Sequence, residues 1–274
     1  MEGKKGGCHE RRSLISQPAR TQRKLLRAGI IPLNMKNNTK KKRLLLLSSS
    51  CPYQGRYFSH CENEIINFFG SNKNILFIPY AEYDRKEYTK IIKERFSEMG
   101  LEIYSVTEEP DLIGAVEDAK GIYVGGENTF RLLFELYKNK LLEPIKERVL
   151  AGIPYVGASA GAILACPTIQ TTNNLATLYP PSLIALNLVP FFINPHFTDA
   201  IPRAQKIGET REERIKEFLE ENKGVVVGLG EEVYLLIENS TVTLMGGTMA
   251  KVFYKNTPPV SYMPVSDASF LLNY

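Results

Sequence analysis

The chain has 274 residues, 43% of them apolar and 23% charged, which is enough sequence for one large α/β domain with a substantial core. No stretch approaches the apolar length needed to span a bilayer, so a membrane role is not expected. The formal net charge is +4, but residues 1–42 hold twelve Lys/Arg against two acids, which leaves −6 on the remainder. The basic character belongs to the leader, and the body is not expected to bind nucleic acid.

Residues 1–42 have no apolar block long enough for a secretory signal. They are expected to form a disordered extension, with residues 43–274 as a single α/β domain. A basic, acid-poor leader also fits a mitochondrial presequence, and Met35 is an alternative start, but a cytoplasmic location is the expectation. The cysteines Cys8, Cys51, Cys61 and Cys166 show no C-x-x-C or metal-ligand spacing. They read as reduced thiols, and neither a metal nor a cofactor is implied.

In chain order, Leu44–Leu47 predicts a buried strand. A helix follows over Glu62–Phe69, then a strand at Ile75–Ile78. Lys86–Met99 has amphipathic spacing and ends at Gly100. Leu101–Val106 is a third strand, Asp111–Ala119 a short helix, and Gly121–Val124 a fourth strand. This alternation predicts a mostly parallel sheet with helices on both faces. Val233–Ile237, Thr241–Met245 and Lys251–Tyr254 are short strands joined by turn residues, expected as antiparallel strands on one edge.

Between these regions, Ile153–Val156 runs into Gly157-Ala158-Ser159-Ala160-Gly161 and then Ala162-Ile163-Leu164. This is a strand, a sharp turn and a helix start. A serine at such a turn is held with its hydroxyl exposed above the sheet edge, and small neighbours allow the bend and a close substrate. A packing turn would not need the serine, so Ser159 is the candidate nucleophile. It requires a base. Of His9, His60 and His196, only His196 follows an apolar run, Phe191–Asn194, and so sits at a predicted strand end. No Asp or Glu lies between Ser159 and His196, which excludes the residue order of α/β-hydrolases. Glu231, after the glycine-ended run Gly224–Gly230, is the best acid, and Asp199 the runner-up. Glu232 should point away in an extended segment. Gly125-Gly126 ends another strand, and the N–H groups of Gly126 and Ala160 are the natural donors to an oxyanion.

Several segments together resemble peptidase E, the α-aspartyl dipeptidase family of serine peptidases. They are Ile78-Pro79-Tyr80-Ala81, Gly125-Gly126 with Asn128–Leu133, Ser159-Ala160-Gly161, Thr171-Thr172-Asn173, Leu186–Phe191, Asn194-Pro195-His196 and Gly208–Ile215. The resemblance runs from about Arg43 to the end. It implies a fold similar to class I glutamine amidotransferases and flavodoxin-like sheets. It also implies a Ser-His-Glu triad of Ser159, His196 and Glu231, and hydrolysis of dipeptides with an N-terminal aspartate. On this resemblance Arg211 is the residue to bind the substrate carboxylate. Two positions depart from the family. Glu127 stands where a third glycine is usual, and Asn174 where an aspartate implicated in activity is usual. These two departures motivate one alternative, a weakened homologue that binds aspartyl peptides without turnover. A second, a cyanophycinase-like hydrolase, follows because that family is similar in triad and elbow.

Overall fold

Five strands of nearly continuous apolar sequence form the centre of the computed structural model, which describes residues 42–52, 55–71, 74–198 and 209–274. These residues belong to one compact unit running from Thr39 to Tyr274. Residues 1–41 of the leader and Asp199 lie outside the described residues. The first half alternates strand and helix, with two successive helices before its last strand: β1 (Arg43–Leu47), α1 (Glu62–Phe69), β2 (Ile75–Ile78), α2 (Arg85–Glu98), β3 (Ile103–Ser105), α3 (Leu112–Asp118), β4 (Gly121–Val124), α4 (Thr129–Lys138), α5 (Leu142–Leu150), β5 (Tyr155–Ala158) and α6 (Ala160–Leu164). The second half holds β6 (Phe192–Asn194), α7 (Arg211–Glu221), β7 (Val226–Leu229), β8 (Val233–Glu238), β9 (Thr241–Gly246), β10 (Ala250–Phe253), β11 (Val260–Tyr262) and β12 (Ser266–Asp267).

The main sheet runs β12-β9-β8-β1-β5-β4-β2-β3. From β1 to β3 every pairing is parallel, and β8, β9 and β12 extend it antiparallel. Parallel strands buried on both faces read as unbroken apolar runs. Leu44–Leu47 show this: all four are fully buried, and alternate side chains enter opposite layers. Leu44 and Leu46 pack with α3, α4, α5 and α6. Leu45 and Leu47 pack with Ile65, Phe68 and Phe69 of α1 and Ile92 and Phe96 of α2. Burying each leucine contributes roughly 2 kcal/mol. The expected α/β sheet with helices on both faces is therefore what the chain builds.

The late strands differ from expectation in one respect. β8 and β9 do lie on an edge, but β10 does not join them. It pairs with β7 in a second sheet of order β11-β10-β7-β6. Three of its four residues are buried, and Phe253 packs edge-on against Phe197, ring centroids 5.4 Å apart. A strand with that much buried surface is poorly suited to an exposed edge. Gly246, at φ +112°, ends β9 in a conformation that L side chains rarely adopt, and there the chain leaves the main sheet. The second sheet carries His196 and Glu231 just past the carboxyl ends of β6 and β7, which run parallel.

Candidate active site

The Gly157–Gly161 segment folds as a strand-turn-helix elbow. Ser159 caps α6 at φ +51° and ψ −107°, a strained position for a residue with a side chain. The surrounding packing leaves little alternative. A Cβ on Gly157 would lie 2.4 Å from the Gly161 carbonyl oxygen, and one on Gly161 would lie 2.2 Å from that of Val124. The Ser159 N–H donates to the Leu47 carbonyl at 2.9 Å, which ties the elbow to β1.

Ser159 Oγ lies 2.9 Å from His196 Nε2, and His196 Nδ1 lies 2.7 Å from Glu231 Oε2. The three residues thus form one continuous hydrogen-bonded chain, brought together from α6, β6 and β7. The His196 hydrogen bond is the largest influence on Glu231 and holds its carboxyl below the usual glutamate value, against an opposing effect of burial. Glu232 turns the other way, its carboxylate lying over Gly247. His60 packs against Tyr234, and neither ring nitrogen has a hydrogen-bond partner. Burial lowers its pKa, against the opposing pull of Glu232 and Glu231.

The two proposed oxyanion donors flank the serine. A Cβ on Gly126 would meet Ser159 Cβ at 2.9 Å and the Ala158 carbonyl at 3.1 Å, so only glycine brings its backbone this close. Ala160 is the first residue of α6, and its N–H has no carbonyl one turn back to bond.

Ser159 and His196 open into a cavity of about 400 Å³ that Glu82, Glu127, Asn174 and Arg211 also line. Arg211 is the first residue of α7, where Thr210 and Glu213 form a capping box. A cation there opposes the helix dipole, and first turns favour acids. Arg211 is nonetheless half-buried, and that burial lowers its pKa while Glu231 pulls it up. Its Nη1 donates to the Pro195 carbonyl at 2.9 Å, beside His196. Arg214, three residues on, pairs instead with Glu209 at 3.5 Å and does not line the cavity.

Asn174 is not bonded to His196. Its Oδ1 accepts from Thr129 N–H at 3.0 Å, Thr129 Oγ1 at 2.7 Å and Thr172 Oγ1 at 3.0 Å. The side chain therefore supports the start of α4, where an aspartate would make the same bonds and add a charge favoured by the dipole.

Glu127 has φ +131°, a region that favours glycine. Its carboxylate pairs with Arg131 at 3.2 Å while the side chain stays 49% exposed, and such exposed pairs contribute about 0–1 kcal/mol. Positive-φ strain costs about 1–3 kcal/mol, more than the roughly 0.5–1 kcal/mol that a glycine adds to unfolded-state entropy. Glu127→Gly is therefore expected to stabilise the protein, by about 1 kcal/mol. Thermal unfolding checks this, and a lowered Tm would show that the Arg131 pair outweighs the strain.

Glu82 escaped the reading of the sequence. It follows Ile78-Pro79-Tyr80-Ala81 in the loop after β2, at the carboxyl end of the sheet, and that position was its only signal.

The profile of peptidase family S51 matches residues 44–245. The chain is 40% identical over 230 residues to a peptidase E of Streptomyces coelicolor, covering 84% of this chain and 95% of that protein. It is also 40% identical over 232 residues to a probable alpha-aspartyl dipeptidase of Drosophila melanogaster, covering 84% of this chain and 97% of that one. The fold is similar to the crystal structure of a peptidase from an acI-B1 actinobacterium, with a TM-score of 0.66 at 18% identity over 85% of this chain and 98% of that one. With the family profile spanning most of the sequence and 40% identity extending over nearly the whole length of these relatives, the chain belongs to peptidase family S51.

Proposed function

We propose that this protein is a serine dipeptidase that hydrolyses dipeptides with an N-terminal aspartate, through a triad of Ser159, His196 and Glu231. The observation that carries the reading is the Ser159–His196–Glu231 hydrogen-bonded chain, opening into a cavity that also holds a half-buried arginine. The names of the relatives support the aspartyl substrate.

Ser159 Oγ attacks the scissile carbonyl carbon and passes its proton to His196 Nε2. The carbonyl π electrons move onto oxygen, where the N–H groups of Gly126 and Ala160 receive the negative charge. Collapse breaks the C–N bond, and His196 gives its proton to the departing amine. Water then attacks the aspartyl ester with His196 again as base, which frees aspartate and restores Ser159. Glu231 keeps the imidazole in the required tautomer and stabilises its cationic form. Arg211 receives the substrate side-chain carboxylate, a task suited to a planar two-pronged donor. The small substrate requires no further partner, and reduced thiols fit a cytoplasmic location. Among the described residues no helix is long and apolar enough to cross a membrane.

Hydrolysis of Asp-p-nitroanilide by the purified protein tests the reading. Arg211→Lys is expected to lower kcat/KM for that substrate by about 10-fold or more, because the fork geometry is lost although the charge remains. Asn-p-nitroanilide should be much less affected. Equal losses on both substrates would remove Arg211 from carboxylate recognition.

A further inference from the structure

Ser48 follows directly on β1 and is fully buried. Its Oγ accepts from the His196 N–H at 2.8 Å and donates to the Leu229 carbonyl at 3.0 Å. Its own N–H donates to the Val233 carbonyl at 2.9 Å, and the preceding Leu47 carbonyl accepts from the Ser159 N–H at 2.9 Å. Two consecutive residues thus hold the backbone of Ser159, the backbone of His196, and the chain two residues to either side of Glu231. We propose that Ser48 is a positioning residue for the reaction, fixing His196 between nucleophile and acid. The proposal rests on the reading of Ser159, His196 and Glu231 as the catalytic triad.

The chemistry asks for a hydroxyl. One small group must accept from one strand end and donate to another, and a hydroxyl does both while an alkyl side chain does neither. His196 needs such a hold because its backbone is at φ +55°, a conformation that persists only where surrounding contacts over-determine it. The two partners of Ser48 are not equally dependent on it. The Leu229 carbonyl also accepts from the Phe197 N–H at 2.8 Å, so it stays satisfied when Ser48 is changed. No second acceptor for the His196 N–H is present among the described residues. Loss of the hydroxyl therefore falls on the base. Ser49 and Ser50 line the cavity, but Ser48 does not, so its effect should be seen in turnover rather than in substrate binding.

The test compares Ser48→Thr with Ser48→Val, which share a shape and differ in the hydroxyl. Ser48→Val should lower kcat on Asp-p-nitroanilide by about 10²-fold, the cost of a small displacement of a catalytic group. KM should stay within about threefold, as for an interaction that does not bind the ground state. Ser48→Thr should recover most of kcat. In parallel, ¹⁵N-histidine NMR should show the strongly hydrogen-bonded His196 Nδ1–H far downfield in the wild type and in Ser48→Thr. It should be lost or shifted in Ser48→Val and Ser48→Ala. Ser48→Ala only removes an atom, so it serves if the added methyl of the other two prevents folding. Unchanged kcat and resonance in Ser48→Val or Ser48→Ala would overturn the proposal, as would equal impairment of folded Ser48→Thr and Ser48→Val. An inactive wild type would sink the dipeptidase reading, yet the resonance would still decide the role of Ser48. A wild type without that resonance overturns the positioning role itself.

Discussion

Ser159→Ala is expected to lower kcat on aspartyl substrates by about 10⁴–10⁶-fold, the range seen when a triad nucleophile is lost. The hydroxyl is the only group of this residue in reach of His196 Nε2, 2.9 Å away. Its backbone, by contrast, is held by bonds that alanine keeps: Ser159 N–H to Leu47, and Ile163 N–H to the Ser159 carbonyl at 3.0 Å. Folding should therefore survive, with a Tm within a few degrees of wild type. His196→Ala should be nearly as damaging, because triad members act as a unit. Steady-state kinetics with thermal unfolding on the same samples checks both. Activity of Ser159→Ala within a few-fold of wild type would remove the serine from the mechanism.

The acid is the second large effect. Glu231→Gln should cost about 10³–10⁴-fold in kcat, as for other triad carboxylates replaced by amides. The amide keeps the shape but offers no charge to the imidazolium, and it can present an N–H where an acceptor is needed. The carboxyl of Glu231 titrates below the ordinary glutamate value because His196 donates to it. Its negative charge is therefore lost at a lower pH than that of an ordinary glutamate, and the loss caused by Glu231→Gln should persist into mildly acidic solution. Asn174→Asp should leave activity unchanged or raise it, since an aspartate accepts the same three bonds from Thr129 and Thr172. A nearly silent Glu231→Gln with a crippling Asp199→Asn would move the acid to Asp199. An inactive wild type made active by Asn174→Asp would instead identify a weakened homologue.

Much of this architecture was legible in local sequence. Fully buried parallel strands need unbroken apolar runs, so Leu44–Leu47, Ile75–Ile78 and Gly121–Val124 declared themselves. The elbow declared itself by its small residues, which the structure explains through contacts too close for any Cβ at Gly157 and Gly161. The absence of acids between Ser159 and His196 places the acid after His196 or before Ser159, and the glycine-ended run Gly224–Gly230 points to Glu231. Other features depend on contacts between distant segments. The pairing of β10 with β7 rather than β9 follows from burial of Val252 and Phe253, which a four-residue strand does not announce. A serine at the end of β1 carries no signal that it bonds residues 148 and 181 positions away. Arg211 was singled out by family resemblance alone. Its physical mark, a half-buried cation at a helix start, appears only once the helix is placed beside His196.

Release of free aspartate and leucine from Asp-Leu, measured for the wild type and Ser159→Ala side by side, with Asn-Leu as the uncharged comparison, bears most directly on the central claim. The account predicts rapid release from Asp-Leu by the wild type, little from Asn-Leu, and none above background from Ser159→Ala. No release from Asp-Leu by the folded wild type, or equal release by Ser159→Ala, would contradict it.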